Sequence, residues 1–243
     1  MTSIQKGDFV KISYTLKVKE EGQIFDTTNE EIARKVGIFD EKKKYGPKLV
    51  ILGNEEFFPV KRLNDELIGL KEGEEFVVEV PPEETFGYKD PSKIKMLGRK
   101  ELVSKGISPI KVGKTIQWGN QTGTIISALG GRIRVDFNHP LVGKTIVYEG
   151  KVDEKITAFQ KKIEALIDYR KPGIDISQLK INSDKGEVII TMPEEVITKE
   201  IYLQLIKIRL ANDIHKNFPD RKEIKFIDIY TFDESPESNS KED

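Results

Sequence analysis

The chain has 243 residues, more than the roughly 100–150 residues of a typical domain, so we expect two or three hydrophobic cores. Its 40 Lys and Arg nearly balance 41 Asp and Glu, so no overall field favours nucleic acid or a membrane surface as a partner. With no cysteine and only two histidines, we expect no disulfide, no thiol nucleophile and no metal centre. No apolar run approaches the roughly 20 residues of a membrane span and the first residues lack a signal-peptide core, so we expect a soluble cytoplasmic protein.

The first 87 residues have the pattern of a half-buried sheet with one helix. Apolar side chains mostly alternate with polar ones between residues 9 and 18, which is the period of a strand, and they recur at helical spacing between residues 58 and 69. A polar, lysine-rich stretch ends at Gly46-Pro47, where Gly and Pro break any helix, and Lys42 to Lys44 within it are interpreted as a solvated loop. We predict an antiparallel sheet wrapped around a short helix, with strands at 8–18, 24–25, 49–52 and 76–80.

A separate block begins after Gly87. It has turns at Gly113 and Gly119 and a Gly130-Gly131 pair, and strands are expected at 114–118, 123–128 and 132–137. The strand at 144–152 continues the first sheet, so residues 88–138 are predicted to be a small, mostly β domain inserted into a loop. Its apolar residues in a stretch of poor strand periodicity suit either an adaptable peptide-binding face or a small core: Ile94, Met96, Leu97, Leu102 and Val103.

Residues 154–232 predict a third, α+β domain. The expected elements are a helix from 154 to 171, a hairpin of 179–182 and 187–192, a helix at 194–215 and a strand at 224–229. The second helix carries more apolar residues than so small a domain has to bury, so we expect the domain to pair two chains; the alternative is a monomer that buries them all. The acidic, Ser-rich tail 233–243 is expected to be disordered.

Five short motifs occur in a specific order. They are Tyr14-Thr15, the FDTT of residues 25–28, Leu52-Gly53, the ELIGLKEGE of residues 66–74 and the VPPEETFG of residues 80–87. In this order and spacing they resemble the FKBP-type peptidyl-prolyl cis/trans isomerases. The VDFNHPLVGKTIVY of residues 135–148 resembles the SlyD-like and long archaeal members, which carry an insert-in-flap domain at this place. The resemblance implies a discontinuous isomerase domain, residues 1–87 and 139–153, around the insert.

The resemblance also implies an apolar proline pocket, with Asp26 at its edge and with His139 and Leu141 close to it. At two positions this chain departs from the family: Leu63 stands where tryptophan usually forms the floor, and Phe86 stands where a tyrosine usually donates to the substrate carbonyl. Read without the resemblance, aromatic residues on strands are core residues, Asp26 is a turn residue, and His139 before Pro140 is part of a linker. The implied pocket consists of Tyr14, Phe25, Val60, Leu63, Phe86 and Tyr148.

The function implied by the resemblance is isomerisation of X-Pro bonds, without a cofactor, in unfolded or proline-containing polypeptides, with the insert as the chaperone part. Amide resonance sets a barrier of about 18–20 kcal/mol, and an apolar cavity favours the twisted amide because twisting removes charge separation. Two alternatives stay open: a holdase with little turnover, and an assembly adaptor whose main role lies in the C-terminal domain. Because the tail lacks histidine and cysteine, no nickel-binding role is expected.

Overall fold

A computed structural model describes residues 2–58, 60–171, 173–184, 186–198 and 202–232. The expected disordered tail, 233–243, lies outside the described residues. No helix in the described part is long and apolar enough to cross a membrane. In chain order, the first elements are β1 (Phe9–Val18), β2 (Ile24–Thr27), α1 (Glu30–Val36), β3 (Lys48–Ile51), α2 (Lys61–Leu67) and β4 (Glu75–Val80).

Three further groups of elements complete the chain. The inserted segment contains β5 (Ile94–Gly98), α3 (Arg99–Ser104), β6 (Thr115–Trp118), β7 (Gln121–Leu129) and β8 (Arg132–Asp136). It is followed by the long strand β9 (Ile146–Ile156). The C-terminal region contains α4 (Phe159–Arg170), β10 (Lys180–Asp184), β11 (Glu187–Pro193), α5 (Glu194–Thr198), α6 (Leu203–Asn217) and β12 (Glu223–Ile229).

The first sheet is antiparallel and has the order β2-β1-β9-β4, with β3 also paired to β1. The two buried leucines of α2, Leu63 and Leu67, pack into the core of this sheet, so the predicted sheet around a short helix is confirmed. On β9, Gly150 lies opposite both Tyr14 and Phe76. A Cβ there would stand 2.3 Å from the carbonyl oxygen of Ser13 and 2.5 Å from the Phe76 ring, so the close crossing of the strands requires glycine.

Helix α1 was missed by the sequence analysis, which assigned no element to this polar stretch. The side chain of Asn29 accepts a hydrogen bond from the Ile32 amide at its start, and Gly37 ends it in the left-handed conformation with φ of 77°. Ala33 is its buried residue, so the helix carries no apolar stripe that periodicity could detect. The sequence therefore carried no periodic signal for this helix.

The inserted segment forms a four-stranded antiparallel sheet of order β5-β8-β7-β6. The stretch of poor strand periodicity contains β5 and α3. Leu102 on α3 is fully buried against Ile116 and Ile133, which makes it a core residue. The sequence analysis was wrong to place Leu102 on a binding face, because the inner side of α3 closes the core of the insert.

In the C-terminal region, β10 and β11 form the expected hairpin, and β12 adds to β11 in parallel. The first helix begins later than predicted, because β9 runs to Ile156 and α4 starts only at Phe159. Of the long helix expected at 194–215, the structure describes α5 and α6, and residues 199–201 lie outside the described ranges. The α+β class of the whole chain is confirmed.

The C-terminal region shares a hydrophobic core with the first sheet. Phe9, Ile51 and Phe57 from the N-terminal half lie in one buried cluster with Leu166 of α4 and Leu210 of α6. The two regions are thus joined by apolar contact as well as by the chain. That a domain of residues 154–232 folds by itself stays a prediction, and this shared core argues against full independence.

Candidate active site

Three aromatic rings meet on the inner face of the first sheet. Tyr14 on β1 and Tyr148 on β9 share a face because Tyr148 pairs with Leu16, two residues from Tyr14. Their ring centroids are 5.4 Å apart, and the ring of Phe58 stands 5.8 Å from Tyr14 and 5.9 Å from Tyr148, all in edge-to-face arrangements. We call Tyr14, Phe58 and Tyr148 the aromatic cluster.

Phe58 was not among the residues expected at the site. It lies just before α2, where the side chain of Asn64 donates hydrogen bonds to the carbonyl oxygens of Phe58, at 2.9 Å, and Val60, at 3.1 Å. Asn64 is buried, so these bonds fix the segment. The sequence signal was the adjacent pair Phe57-Phe58, which cannot place both rings on one side of an extended chain.

Asp26 lies beside the aromatic cluster and is held on several sides. The Tyr14 hydroxyl donates to its Oδ2 at 3.0 Å, and the Thr27 amide donates to its Oδ1 at 2.8 Å. Lys43 forms an ion pair with the same carboxylate and also donates to the Thr27 carbonyl oxygen at 3.0 Å. Lys43 is therefore not part of a solvated loop, as the sequence analysis expected, because Asp26 supplies a partly buried partner for it.

The two phenols at this site stay protonated over the physiological pH range. Burial raises the pKa of Tyr14 far above its ordinary value, and the adjacent Asp26 carboxylate raises that pKa further. Burial also raises the pKa of Tyr148, with a smaller contribution from the charge of Asp26. The Tyr148 hydroxyl makes no hydrogen bond with the described residues, whereas that of Tyr14 is engaged by Asp26. Of the two phenols, Tyr148 is the free hydrogen-bond donor.

A second group of rings lies at the exposed edge of the site. The rings of Phe86 and His139 are stacked, with centroids 4.2 Å apart and planes 5° from parallel, and Phe25 stands 6.0 Å from His139. Phe25 is 37% exposed and Phe86 41% exposed, so both present apolar surface to solvent. We call Phe25, Phe86 and His139 the rim rings.

Three further residues expected at the site are buried in the core of the first sheet. Leu63 and Leu141 are almost completely buried and Val60 is 9% exposed, all within the core of the first sheet. The Leu141 amide donates to Nδ1 of His139 at 3.3 Å, which connects a rim ring to the core. In this structure Leu63 and Leu141 support the site and present almost no surface to a substrate.

The residues expected to bind peptide on the insert are distributed unevenly. Met96 is 58% exposed and Val103 51% exposed, on β5 and α3 respectively. Ile94 and Leu97 are half-buried, and Leu97 packs against the core of the insert. The exposed apolar surface that the structure offers in this stretch is therefore centred on Met96 and Val103.

A sheet that wraps around a helix and holds an apolar aromatic site suits a protein that twists a peptide bond by non-covalent contact. Three family models match the chain. The model described as FKBP-type peptidyl-prolyl cis-trans isomerase matches residues 1–105, the FKBP26 IF domain matches residues 95–141, and the model described as FKBP26_C-terminal matches residues 160–231.

Curated relatives agree with these matches. The chain is 32% identical over 149 residues to a short-type peptidyl-prolyl cis-trans isomerase of Methanocaldococcus jannaschii, covering 61% of this chain and 92% of the relative. It is 30% identical over 155 residues to an FKBP-type 16 kDa peptidyl-prolyl cis-trans isomerase of Escherichia coli, covering 63% and 93%. It is also 30% identical over 162 residues to SlyD of Treponema pallidum, covering 65% and 81%. The chain belongs to the FKBP-type peptidyl-prolyl cis-trans isomerases, as the sequence motifs predicted.

Proposed function

We propose that this isomerase binds and isomerises X-Pro bonds at the surface formed by the aromatic cluster and the rim rings, with unfolded or proline-containing chains as substrates. The observation that carries the proposal is the free Tyr148 hydroxyl within a cluster of three rings. The rings supply an apolar surface on which the twisted amide, with less charge separation than the planar amide, is favoured. The Asp26 carboxylate, which lies beside them, is compensated by Lys43.

In other family members, a tyrosine at the position of Phe86 donates a hydrogen bond to the substrate carbonyl oxygen. In this chain the Tyr148 hydroxyl has that role. Phe86 has no hydroxyl, so it cannot donate to the substrate carbonyl oxygen. Tyr148 is neutral and has no partner in the described part of the chain, so its proton is available for that oxygen. Tyr14 is less suited, because donating to a substrate would break its bond to Asp26.

The test compares turnover of a short X-Pro peptide by full-length variants. Asp26→Ala and Tyr148→Ala are expected to lower kcat/KM roughly tenfold, because each removes contacts made to the reacting amide or to its donors. Tyr230→Ala, an exposed tyrosine on the C-terminal region, is the matched control and should keep full activity. Unchanged turnover in both site variants would show that the site is elsewhere.

For the insert, we propose that Met96 and Val103 hold a client chain near the isomerase site. Both are exposed and apolar, and methionine adapts to varied partners. The variant Met96→Ser/Val103→Ser should keep activity on a tetrapeptide and lose activity on a proline-limited refolding protein, because tethering raises the local concentration only of long substrates. If refolding is prevented while peptide turnover is negligible even in the unmodified chain, the holdase alternative is correct.

We further propose that the C-terminal region pairs two chains. Apolar side chains stay exposed on both α6 and β12: Leu205, Ile208, Ile227 and Ile229 are each 44% to 59% exposed. In the described part of the sheet β12 is an edge strand, which pairs with β11 and offers its other side. A second copy of the chain is the occupant proposed for these surfaces.

A further inference from the structure

The last turn of α4 contacts two loops of the isomerase sheet. Asp168 forms an ion pair with Lys44, in the loop before β3. The Tyr169 hydroxyl donates to the carbonyl oxygen of Glu56 at 3.1 Å, in the loop after β3. Arg170 forms an ion pair with the Glu56 carboxylate at 2.8 Å. Three consecutive residues of the C-terminal region thus hold two separate isomerase loops.

In the loop before β3, neighbouring residues face the two regions. Lys43 pairs with Asp26 at the isomerase site, and the next residue, Lys44, pairs with Asp168 on α4. A shift of this loop away from α4 would also move the ammonium group that compensates Asp26. The position of Asp26, and so of its partner Tyr14, is therefore coupled to α4 through a single peptide unit.

The loop after β3 repeats this arrangement with aromatic residues. The ring of Phe57 lies 4.6 Å from the ring of Tyr169 and is buried in the core shared with the C-terminal region. The next ring, Phe58, belongs to the aromatic cluster of the site. Phe57 is buried in the core shared with the C-terminal region and Phe58 in the core of the first sheet, so anchoring Phe57 on α4 restricts how Phe58 enters the site.

The last turn of α4 is itself fixed. Nε and Nη2 of Arg170 each donate to one carboxylate oxygen of Asp213 on α6, and the Asp213 side chain is only 4% exposed. Lys216, one turn later on α6, also pairs with Glu56 at 3.1 Å. Hydrogen bonds from Arg170 and Lys216 lower the pKa of Glu56, so this carboxylate stays charged at lower pH than an ordinary glutamate does. The two helices form one anchored support.

We propose that Asp168, Tyr169 and Arg170 are positioning residues for isomerisation: the last turn of α4 holds the loops that carry Lys43 and Phe58 in the arrangement that the site needs. The C-terminal region then sets the efficiency of an active site to which its described residues contribute no side chain. This inference depends on the site proposed above, and the experiment separates failure of the one from failure of the other.

The experiment measures kcat and KM of full-length variants on a short X-Pro peptide. Asp168→Asn and Tyr169→Phe each remove one contact to a loop and leave the core intact. Each is expected to lower kcat/KM about twofold to tenfold without a matching loss of thermal stability, as is typical of coupling through a packed support. Asp168→Glu, which keeps the charge that Lys44 needs, should restore most of the activity.

Matched controls are available on α4 and in the loop after β3. Glu164→Gln breaks a pair with Lys161 one turn earlier on α4, and Glu55→Gln changes an exposed carboxylate that makes no hydrogen bond or ion pair with the described residues. Both should keep the activity of the unmodified chain. Since the Lys44–Asp168 pair is half exposed, 0.5 M salt should weaken it and bring the unmodified chain towards Asp168→Asn.

The outcomes are distinct. If Tyr148→Phe lowers turnover but Asp168→Asn and Tyr169→Phe do not, the site stands and the positioning role is refuted. If Asp26→Ala, Tyr148→Ala, Asp168→Asn and Tyr169→Phe all leave turnover unchanged, the site assignment fails, and the positioning role fails with it. Equal losses in the controls would also refute the proposal, because the effect would then be general. Losses in Tyr148→Phe, Asp168→Asn and Tyr169→Phe, with full activity in both controls and recovery in Asp168→Glu, would establish it.

Discussion

Removing the hydroxyl group from Tyr14 should mainly lower stability, whereas removing it from Tyr148 should mainly lower activity. Tyr14 and Tyr148 are neighbours in the aromatic cluster, and both are largely buried. Tyr14→Phe removes the donor to Asp26, a charge-assisted hydrogen bond of 3.0 Å, and should cost about 1–2 kcal/mol of unfolding free energy at pH 8. Tyr148→Phe removes a hydroxyl without a protein partner and should change stability by less than about 0.5 kcal/mol.

Tyr148→Phe, which should hardly change stability, should instead lower activity. If its hydroxyl donates to the substrate carbonyl oxygen, the lost bond is worth about 1 kcal/mol, which corresponds to a decrease in kcat/KM of about fivefold. Tetrapeptide turnover at pH 8 measures this directly, well below the melting temperature. Full activity in Tyr148→Phe would show that the substrate does not use this donor.

Alkaline pH provides a second measurement on the same variants. The folded state holds the Tyr148 pKa above the ordinary 10.0 of the unfolded chain, so its contribution is complete below pH 10 and is lost as the pH rises further. At pH 11 the loss is about 1 kcal/mol, and Tyr148→Phe is spared it. Urea denaturation at pH 8 and pH 11 should show the variant gaining on the unmodified chain, and an equal difference at both pH values would contradict the burial argument.

Three further outcomes follow from the fold. Gly150→Ala should cost about 3 kcal/mol in denaturant unfolding because its Cβ meets Ser13 and Phe76, whereas Gly98→Ala, with its nearest contact at 3.8 Å, should be tolerated; equal effects would refute the tight crossing. Replacing residues 88–138 by a short flap should preserve tetrapeptide turnover and depress turnover of a refolding protein, and equal losses on both would count against a chaperone role. Sedimentation at micromolar concentration should show a dimer that Ile208→Asp dissociates, and a monomeric unmodified chain would end that proposal.

The sequence predicted those elements whose apolar pattern matches their burial. On β1 the alternation between residues 9 and 18 follows the sheet, and the ordered motifs predicted the family that the comparisons show. Helix α1 buries only Ala33, and β5 lies in a segment with poor alternation, so neither left a periodic signal. The periodicity of apolar residues reflects burial, and α1 and β5 bury few side chains.

The site was less predictable than the fold. Tyr14 and Tyr148 followed from the motifs, since their strands pair in register. Phe58 and Lys43 did not, because their roles depend on the conformation of loops that α4 holds from another part of the chain. Leu102 was misplaced because the sequence of a short helix does not show which of its apolar residues face the core and which face the solvent.

The position of β9 has a consequence for synthesis of the chain. This strand lies between β1 and β4 in the sheet, yet it follows both of them and the whole insert in sequence. On the ribosome, the first 80 residues therefore emerge with the middle of their sheet missing. The inserted segment, whose strands β5 to β8 pair among themselves, is made completely before β9 can close the sheet. At synthesis rates of about 5–20 residues per second, the nascent isomerase core waits several seconds for its central strand, so the insert has time to fold first.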